Sequence, residues 1–348
     1  MRHSKTCIAT TAGLLLAAGG GVSAQETPVG AEDAIAIDEI IVTAQKREQA
    51  LAEIPMSITV LDGEMLSTQQ ADNFQDLVAL VPGLSISSAT AGVTRLTLRG
   101  INTGGVASTV GVYVGDVPFG SSTGLANGAI LSGDFDTFDL ARVEVLRGPQ
   151  GTLYGASSLG GVLKYVPAPA NTEKFEAKIL GNVESAENAD TGYSVTGAIN
   201  IPLSDQFAIR ATGFYREDQG YIDSIGNNPI PTLTDPNVNV LEGTLVDDGI
   251  NWLDTYGGRL QALYRPSDRF SINLMALMQD INSGAPNTID ADPSTLAPAD
   301  NGNVQSRYQE QFTDIAYRVY SATLDWDFGG VSLQSVTGYG TFEQDFQL

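Results

Sequence analysis

From residue 174 onward the chain is written in period two. "KFEAKILGNVESAEN", "GYSVTGAINIPLSD", "FAIRATGFYRED", "TYGGRLQALYRPSD", "FSINLMALMQD", "YRVYSATLDWDFGG" and "VSLQSVTGYGTFEQDF" each alternate along their length. Such alternation gives a strand two faces of different character. Most of these segments run to about ten residues or more, the length of a tilted strand that crosses a bilayer. The connections alternate as well. "PLSDQ", "RPSDR" and "DFGG" are tight turns, whereas 220–250 and 282–312 are long loops. Short turns at one end and long loops at the other are the layout of an outer-membrane barrel. Tyr215, Tyr221, Trp252, Tyr264 and Trp326 lie near strand ends, where an interfacial girdle is expected. On alternation alone, a soluble β-sandwich stays open as the other reading.

The N-terminus points to the same compartment. Arg2, His3 and Lys5 precede an apolar stretch from Ile8 to Gly21, and Val22-Ser23-Ala24 is a small-x-small cleavage site. Residues 1–24 read as a secretory signal peptide, too short and glycine-broken for a membrane anchor. The only His (His3) and the only Cys (Cys7) both fall within it. The mature chain is therefore expected to lack His and Cys nucleophiles, Cys/His zinc sites and disulfides. A net charge of −23 argues against nucleic acid as a partner. Thirty-eight glycines and a charged fraction of 17% suit a β-rich chain with many turns.

Between these parts the period is mixed. Residues 25–37 are acidic, rich in small side chains, and read as a disordered spacer. Glu39, Ile40, Ile41, Val42 and Thr43 form a compact strand-forming patch beside it. That patch is either the first strand of a domain or an exposed strand for pairing with a partner. "PMSITVL" reads as strand. "ADNFQDLVALVPGL" reads as a short helix with Phe74, Leu77, Val78 and Val81 on one face, stopped by Pro82-Gly83. "TRLTLRG" and "TVGVYVGDVPFG" read as strands, and "DFDTFDLARVEVLRG" as a helical turn leading into a strand. In "RVEVLRGPQGTLYGASSLGGVLKYV", five glycines crowd the space between two strand-like runs. No Gly-Lys-Ser/Thr follows and no helix succeeds the glycines, so a phosphate cradle is disfavoured. The glycines instead allow positive φ or close backbone approach.

Taken together, these residues resemble the TonB-dependent outer-membrane receptors. "DEIIVTAQKREQ" resembles their TonB box. "LVALVPGLSI", "LTLRGI", "VGVYVGDVPFG" and "ARVEVLRGPQGTLYGASSLGGVLKYV" resemble successive motifs of the plug, in order. Two departures stand out. Val-Gly-Asp-Val-Pro replaces a commoner Asp-Gly pair, and "ASSLGGVLKYV" replaces an Asn-containing, Ile-rich form. The resemblance implies an α+β plug domain followed by antiparallel transmembrane β-barrel strands, about seven of the roughly 22 in such a barrel. It divides the chain into a signal peptide (1–24), a spacer (25–37), a TonB box (38–45), a plug (46–168) and the start of a barrel (169–348). About seven strands cannot close such a barrel, and an open sheet in lipid leaves its edges unsatisfied. The expectation is a partial barrel that neither inserts nor transports alone.

The resemblance further implies energised uptake of a scarce ligand with no catalytic residue, no cofactor and no resident metal. The expected partners are TonB with its inner-membrane energising complex, outer-membrane lipid and lipopolysaccharide, and a ferric siderophore. Haem, cobalamin or an oligosaccharide are the alternative cargoes. A surface-binding protein without transport and a β-rich hydrolase using paired carboxylates are readings from other classes. Glu39 to Thr43 are implied as the strand that TonB captures. Arg99 and Arg147, each in Leu-Arg-Gly, are implied to pair with wall carboxylates beyond Leu348. Asn102, Thr103, Phe119 and Ser121 are implied as ligand contacts at the plug apices. The loop from Glu217 to Asp254 carries acidic residues and no Lys or Arg, which disfavours a strongly anionic ligand there.

Overall fold

The computed structural model describes residues 40–90, 93–102, 104–105, 107–120, 132–185, 189–225, 246–291, 295–298, 302–307 and 309–347. The expected signal peptide and spacer, with Glu39, Thr103 and Ser121, lie outside them.

The N-terminal half begins with a hairpin of β1 (Ile41–Val42) and β2 (Gln49–Ala50). Strand β3 (Ile58–Asp62) leads directly into helix α1 (Gly63–Thr68), whose first turn is capped by Asp62 accepting from the Met65 N–H at 2.7 Å. Helix α2 (Phe74–Leu80) starts in a capping box. Asn73 accepts from the N–H groups of Gln75 and Asp76, and Asp76 accepts from that of Asn73. Phe74, Leu77 and Val81 are fully buried, as the 3.6-residue spacing predicts. Next come β4 (Leu84–Thr90), β5 (Val93–Leu98), β6 (Val110–Val114), β7 (Val117–Phe119), β8 (Leu140–Arg147), the single turn α3 (Gly151–Tyr154) and β9 (Gly161–Pro167). The central sheet has the order β3-β8-β9-β6-β7, with β6 parallel to β9, and β4 pairs with β5 separately.

The glycine loop joins β8 to β9. Gly161 sits at φ +151°, and a Cβ there would lie 2.2 Å from the Leu146 carbonyl oxygen. Close backbone approach is thus what this glycine supplies. The expected helical turn in "DFDTFD" is absent, and residues 132–137 run without regular structure. Its polar groups are engaged elsewhere. Asp134 accepts from the Phe74 N–H at the start of α2 at 2.9 Å, and Asp136 accepts from Phe138 at 2.8 Å.

The C-terminal half is one antiparallel sheet of seven strands in chain order. Its members are β10 (Glu176–Ser185), β11 (Thr191–Ser204), β12 (Phe207–Asp218), β15 (Leu253–Ser267), β16 (Phe270–Ser283), β18 (Phe312–Asp327) and β19 (Ser332–Gln347). The short turns follow β11, β15 and β18 at one end. At the other end the long loops are not bare coil, because β13 (Asp223–Ile225) pairs with β14 (Val246–Asp247) and β17 (Val304–Gln305) in a small sheet.

The two faces of the large sheet decide between barrel wall and soluble sandwich. On β11 the exposed side chains are Tyr193, Val195, Ile199, Ile201 and Leu203, with Val195 50% and Leu203 57% accessible. The covered ones are Ser194, Thr196, Ala198 and Asn200. Apolar outside and polar inside is the pattern of a wall that faces lipid. The plug packs on the inner face, where Gly338 and Gly340 of β19 leave room for Val117 and Phe119 of β7. A Cβ at Gly338 would lie 2.5 Å from Val117. Tyr339, between them, points outward.

Candidate functional site

The strand within the segment expected as a TonB box is folded down rather than free. β1 and β2 pair as Ile41 with Ala50 and Val42 with Gln49. Ile40 and Ile41 are 46% and 40% accessible, but Val42 and Ala44 are fully buried. Val42 and Ala44 belong to an apolar cluster with Ile54, Tyr113, Leu146, Tyr154 and Val162. The Tyr154 hydroxyl donates to the Ala44 carbonyl at 2.9 Å.

Thr43 is keyed into a set of buried charges. Its N–H and hydroxyl both reach Glu144 Oε1, at 2.9 and 3.2 Å, and its Oγ1 accepts from Lys164 Nζ at 2.8 Å. Glu144 is held by Arg142 Nε at 2.7 Å, and Lys164 by Asp116 Oδ1 at 3.0 Å. Lys46 reaches the same Asp116 oxygen at 2.9 Å and lies over the Tyr113 and Tyr154 rings. Burial pushes the Asp116 carboxyl up, but the Lys164 charge and the Lys46 hydrogen bond outweigh it and hold it below the usual range. Burial likewise pulls Lys164 down, against the attraction of Asp116 and Glu144. Asp116 and Lys164 stand at the two departures noted in the sequence, and the fold pairs them with each other. Glu144 and Lys164 look like ordinary strand residues in sequence, so nothing there marks them as partners of Thr43.

This region faces the short-turn end. A cleft of about 490 Å³ is bounded on one side by Thr43, Lys46 and Asp116 and on the other by Arg265, Arg269 and Asp327 of the wall. At the opposite end, Glu217, Asp223, Asp248, Asp254 and Trp252 line an acidic cavity of about 680 Å³. Asp235 and Glu242 of that loop lie outside the described residues.

Plug and wall are joined by charge. Asp139 has a fully buried side chain and sits at φ +58°, a left-handed conformation uncommon outside glycine. It accepts from Arg210 through two guanidinium nitrogens, from Arg259 Nη2 at 3.1 Å and from the Thr212 hydroxyl at 2.8 Å. Burial raises its pKa, but the Arg210 hydrogen bond and the Arg259 and Arg210 charges overcome this and hold it low. Arg216 of β12 bridges Asp72 at 3.1 Å and Asp136 at 3.0 Å. Aromatic rings close the rest of the contact, with Phe119 packed edge-on to Phe135 at 4.8 Å and to Tyr317 at 5.3 Å.

Arg99 and Arg147, whose expected wall partners lie beyond Leu348, are placed as follows. Arg99 is exposed at φ +53°, and Arg147 is half-buried with Nη1 3.4 Å from the Pro82 carbonyl. Among the described residues neither meets a carboxylate. The plug–wall pairs seen here have the reverse polarity, with carboxylates on the plug and arginines on the wall. Phe119, expected as an apical ligand contact, is covered by the wall. It is buried because β7 lies against the glycines of β19. Asn102 is exposed, and its side-chain oxygen accepts from the Gly104 N–H at 2.8 Å.

Comparison with known proteins agrees with this architecture. Residues 50–162 match the family model described as the TonB-dependent receptor plug domain. These residues form a TonB-dependent receptor plug domain. It is 33% identical to a hemin receptor of Yersinia enterocolitica over 52% of this chain and 24% of that protein. It is 27% identical to the vitamin B12 transporter BtuB of Vibrio vulnificus over 56% of this chain and 31% of that protein. The crystal structure of the ferric yersiniabactin uptake receptor FyuA of Yersinia pestis superposes with a TM-score of 0.61 at 17% identity. That superposition covers 84% of this chain and 41% of FyuA. The chain thus spans between a quarter and under half of the length of these relatives.

Proposed function

We propose that the chain is the plug and first part of the wall of an outer-membrane receptor that imports a scarce ligand with energy drawn through TonB. A ferric siderophore is the leading cargo, and haem or cobalamin are the alternatives. The carrying observation is the Ile41–Val42 strand, folded against the plug core at the short-turn end. A partner arriving from the periplasm meets this end first. Capture of the strand by TonB needs backbone donors and acceptors that the hairpin and Glu144 now occupy, so the segment must leave its seat before it can pair. Pulling on it acts directly on β8 and β9, through Glu144 and Lys164. No bond is made or broken in this cycle.

The relatives named for hemin, vitamin B12 and siderophores support the class of cargo. The acidic cavity at the long-loop end opposes a strongly anionic ligand along this wall and favours a neutral or cationic complex. The test is uptake by the complete receptor carrying Ile41→Pro, which removes a backbone donor from the box strand. The expected result is loss of labelled ferric-siderophore uptake in iron-starved cells, with surface binding near wild type. Uptake at the wild-type rate refutes the assignment of the box.

A further inference from the structure

The contact between the plug segment 132–139 and strand β12 has an unbalanced charge. Asp72, Asp76, Asp134 and Asp136 from the plug and Asp218 from the wall gather around a cavity of about 330 Å³ and its rim. Arg216 is the cation they share, and it is already committed to Asp72 and Asp136. The next guanidinium, Arg259 of β15, is held by Asp139. From the other elements, Glu184 of β10 faces Asp218, Gln279 of β16 binds the backbone of Asp134 and Asp136, and the phenols of Tyr165 and Tyr317 neighbour Asp134. Neither the amide nor the phenols supply positive charge near neutrality. Several carboxylates in a closed space with one cation cannot all ionise cheaply, because like charges and burial both oppose it.

The geometry points to a proton-dependent lock: plug segment 132–139 is seated on the wall through Arg216 most firmly when protons occupy the neighbouring carboxyls, and it loosens as they leave. The direction follows from burial. Burial, partly offset by the Phe74 N–H and Arg216, pushes Asp134 up to about 7. Burial, again offset by Arg216, pushes Asp136 up to about 6. Both ordinarily titrate near 3.8. A carboxyl whose pKa is raised in the seated state adds stability while protonated and loses it as pH rises through that value. Seating is therefore tightest below about pH 4, weakens progressively as pH rises from there, and is weakest above about pH 7, the reverse of an ordinary salt-bridge contact. The Phe74 N–H bond to Asp134 carries the effect to α2, and Gln279 carries it to β16.

The test uses the full-length receptor in detergent or outer-membrane vesicles. Hydrogen exchange at the amides of Phe74, Asp136 and Phe138 is measured at pH 5.5 and 8.5 and corrected for intrinsic exchange. Protection is expected to be about tenfold or more higher at the lower pH, since one unit of pKa is tenfold in equilibrium. Infrared spectroscopy should show protonated carboxyl absorption that titrates between about pH 6 and 7. A double variant, Asp134→Asn with Asp136→Asn, should lose that absorption and the pH dependence of protection. Equal protection at both pH values in the unmodified receptor overturns the lock. So does absence of the carboxyl absorption at pH 5.5, or a double variant that keeps the wild-type pH dependence. If the double variant fails to fold, the two measurements on the unmodified receptor decide alone.

Discussion

Replacing Asp139 with Asn should free the plug from the wall more than any other single exchange at that contact. The substitution keeps size and removes one charge. Arg210 and Arg259, almost wholly buried, would then share a neutral amide. Breaking a buried pair by deleting one member costs about 3–5 kcal/mol, because the remaining charge is left without compensation. Glu176 stays 3.1 Å from Arg210 but is partly exposed, so it recovers only part of that loss. The expected cost lies near the lower bound, about 3 kcal/mol, or roughly a hundredfold in the opening equilibrium. Native-state hydrogen exchange of the full-length receptor reads this as faster exchange at the start of β8. Adding Arg259→Met removes the stranded charge and should restore part of the protection. Asp139→Asn exchanging as wild type would mean that water screens the cluster and that Asp139 does not anchor the plug. pH supplies a second check. The Asp139 pKa is held below its ordinary value, so its stabilisation is present above about pH 4 and is lost as pH falls further through the depressed value.

Two further exchanges probe the segment 41–43 and the glycine loop. Thr43→Val keeps shape but removes the hydroxyl that Lys164 and Glu144 share, which should favour release of the segment 41–43 by about 1–3 kcal/mol. A cysteine probe at position 41 of the full-length receptor should then label faster, and unchanged labelling would show that Thr43 does not hold the segment. Gly161→Ala places a Cβ against the Leu146 carbonyl and should destabilise the β8–β9 pair by about 2 kcal/mol or more. Wild-type exchange protection of β9 in that variant would mean that the strands can separate without cost.

The fold could be read from sequence wherever one face of an element differs from the other. The wall strands declare themselves by alternation, and their register follows because a shift by one residue would turn Tyr193 and Val195 inward and Ser194 and Thr196 into lipid. Helix α2 declares itself through Asn73, Phe74 and Leu77. The segment "DFDTFD" misleads because its aspartates look like helix-start residues. They are spent on the start of α2 and on Arg216, and no local pattern shows that. The small sheet of β13, β14 and β17 is hidden for a similar reason. Its strands are two or three residues long, too short to show a period, and β13 and β17 lie about eighty residues apart in a parallel pair.

Charge partnership is the part that sequence conceals most, because it depends on which side chains the closed fold brings within reach. Arg99 and Arg147 attract notice by their repeated Leu-Arg-Gly setting. Yet the closest plug–wall pairs join Asp139 to Arg210 and Arg259, and Asp136 to Arg216. Each of those arginines lies on the polar face of an alternating strand, where a lumen-facing or water-facing role fits equally well. The plug carboxylates turn that face into an anchor. Asp139, with two guanidinium groups, is kept ionised and resists neutral and mildly alkaline pH. Asp134 and Asp136, which must share Arg216 with other carboxylates, retain protons and weaken as pH rises. Two aspartate sites within one eight-residue segment thus respond to pH in opposite directions, and the difference is set by the number of cations the wall presents to each.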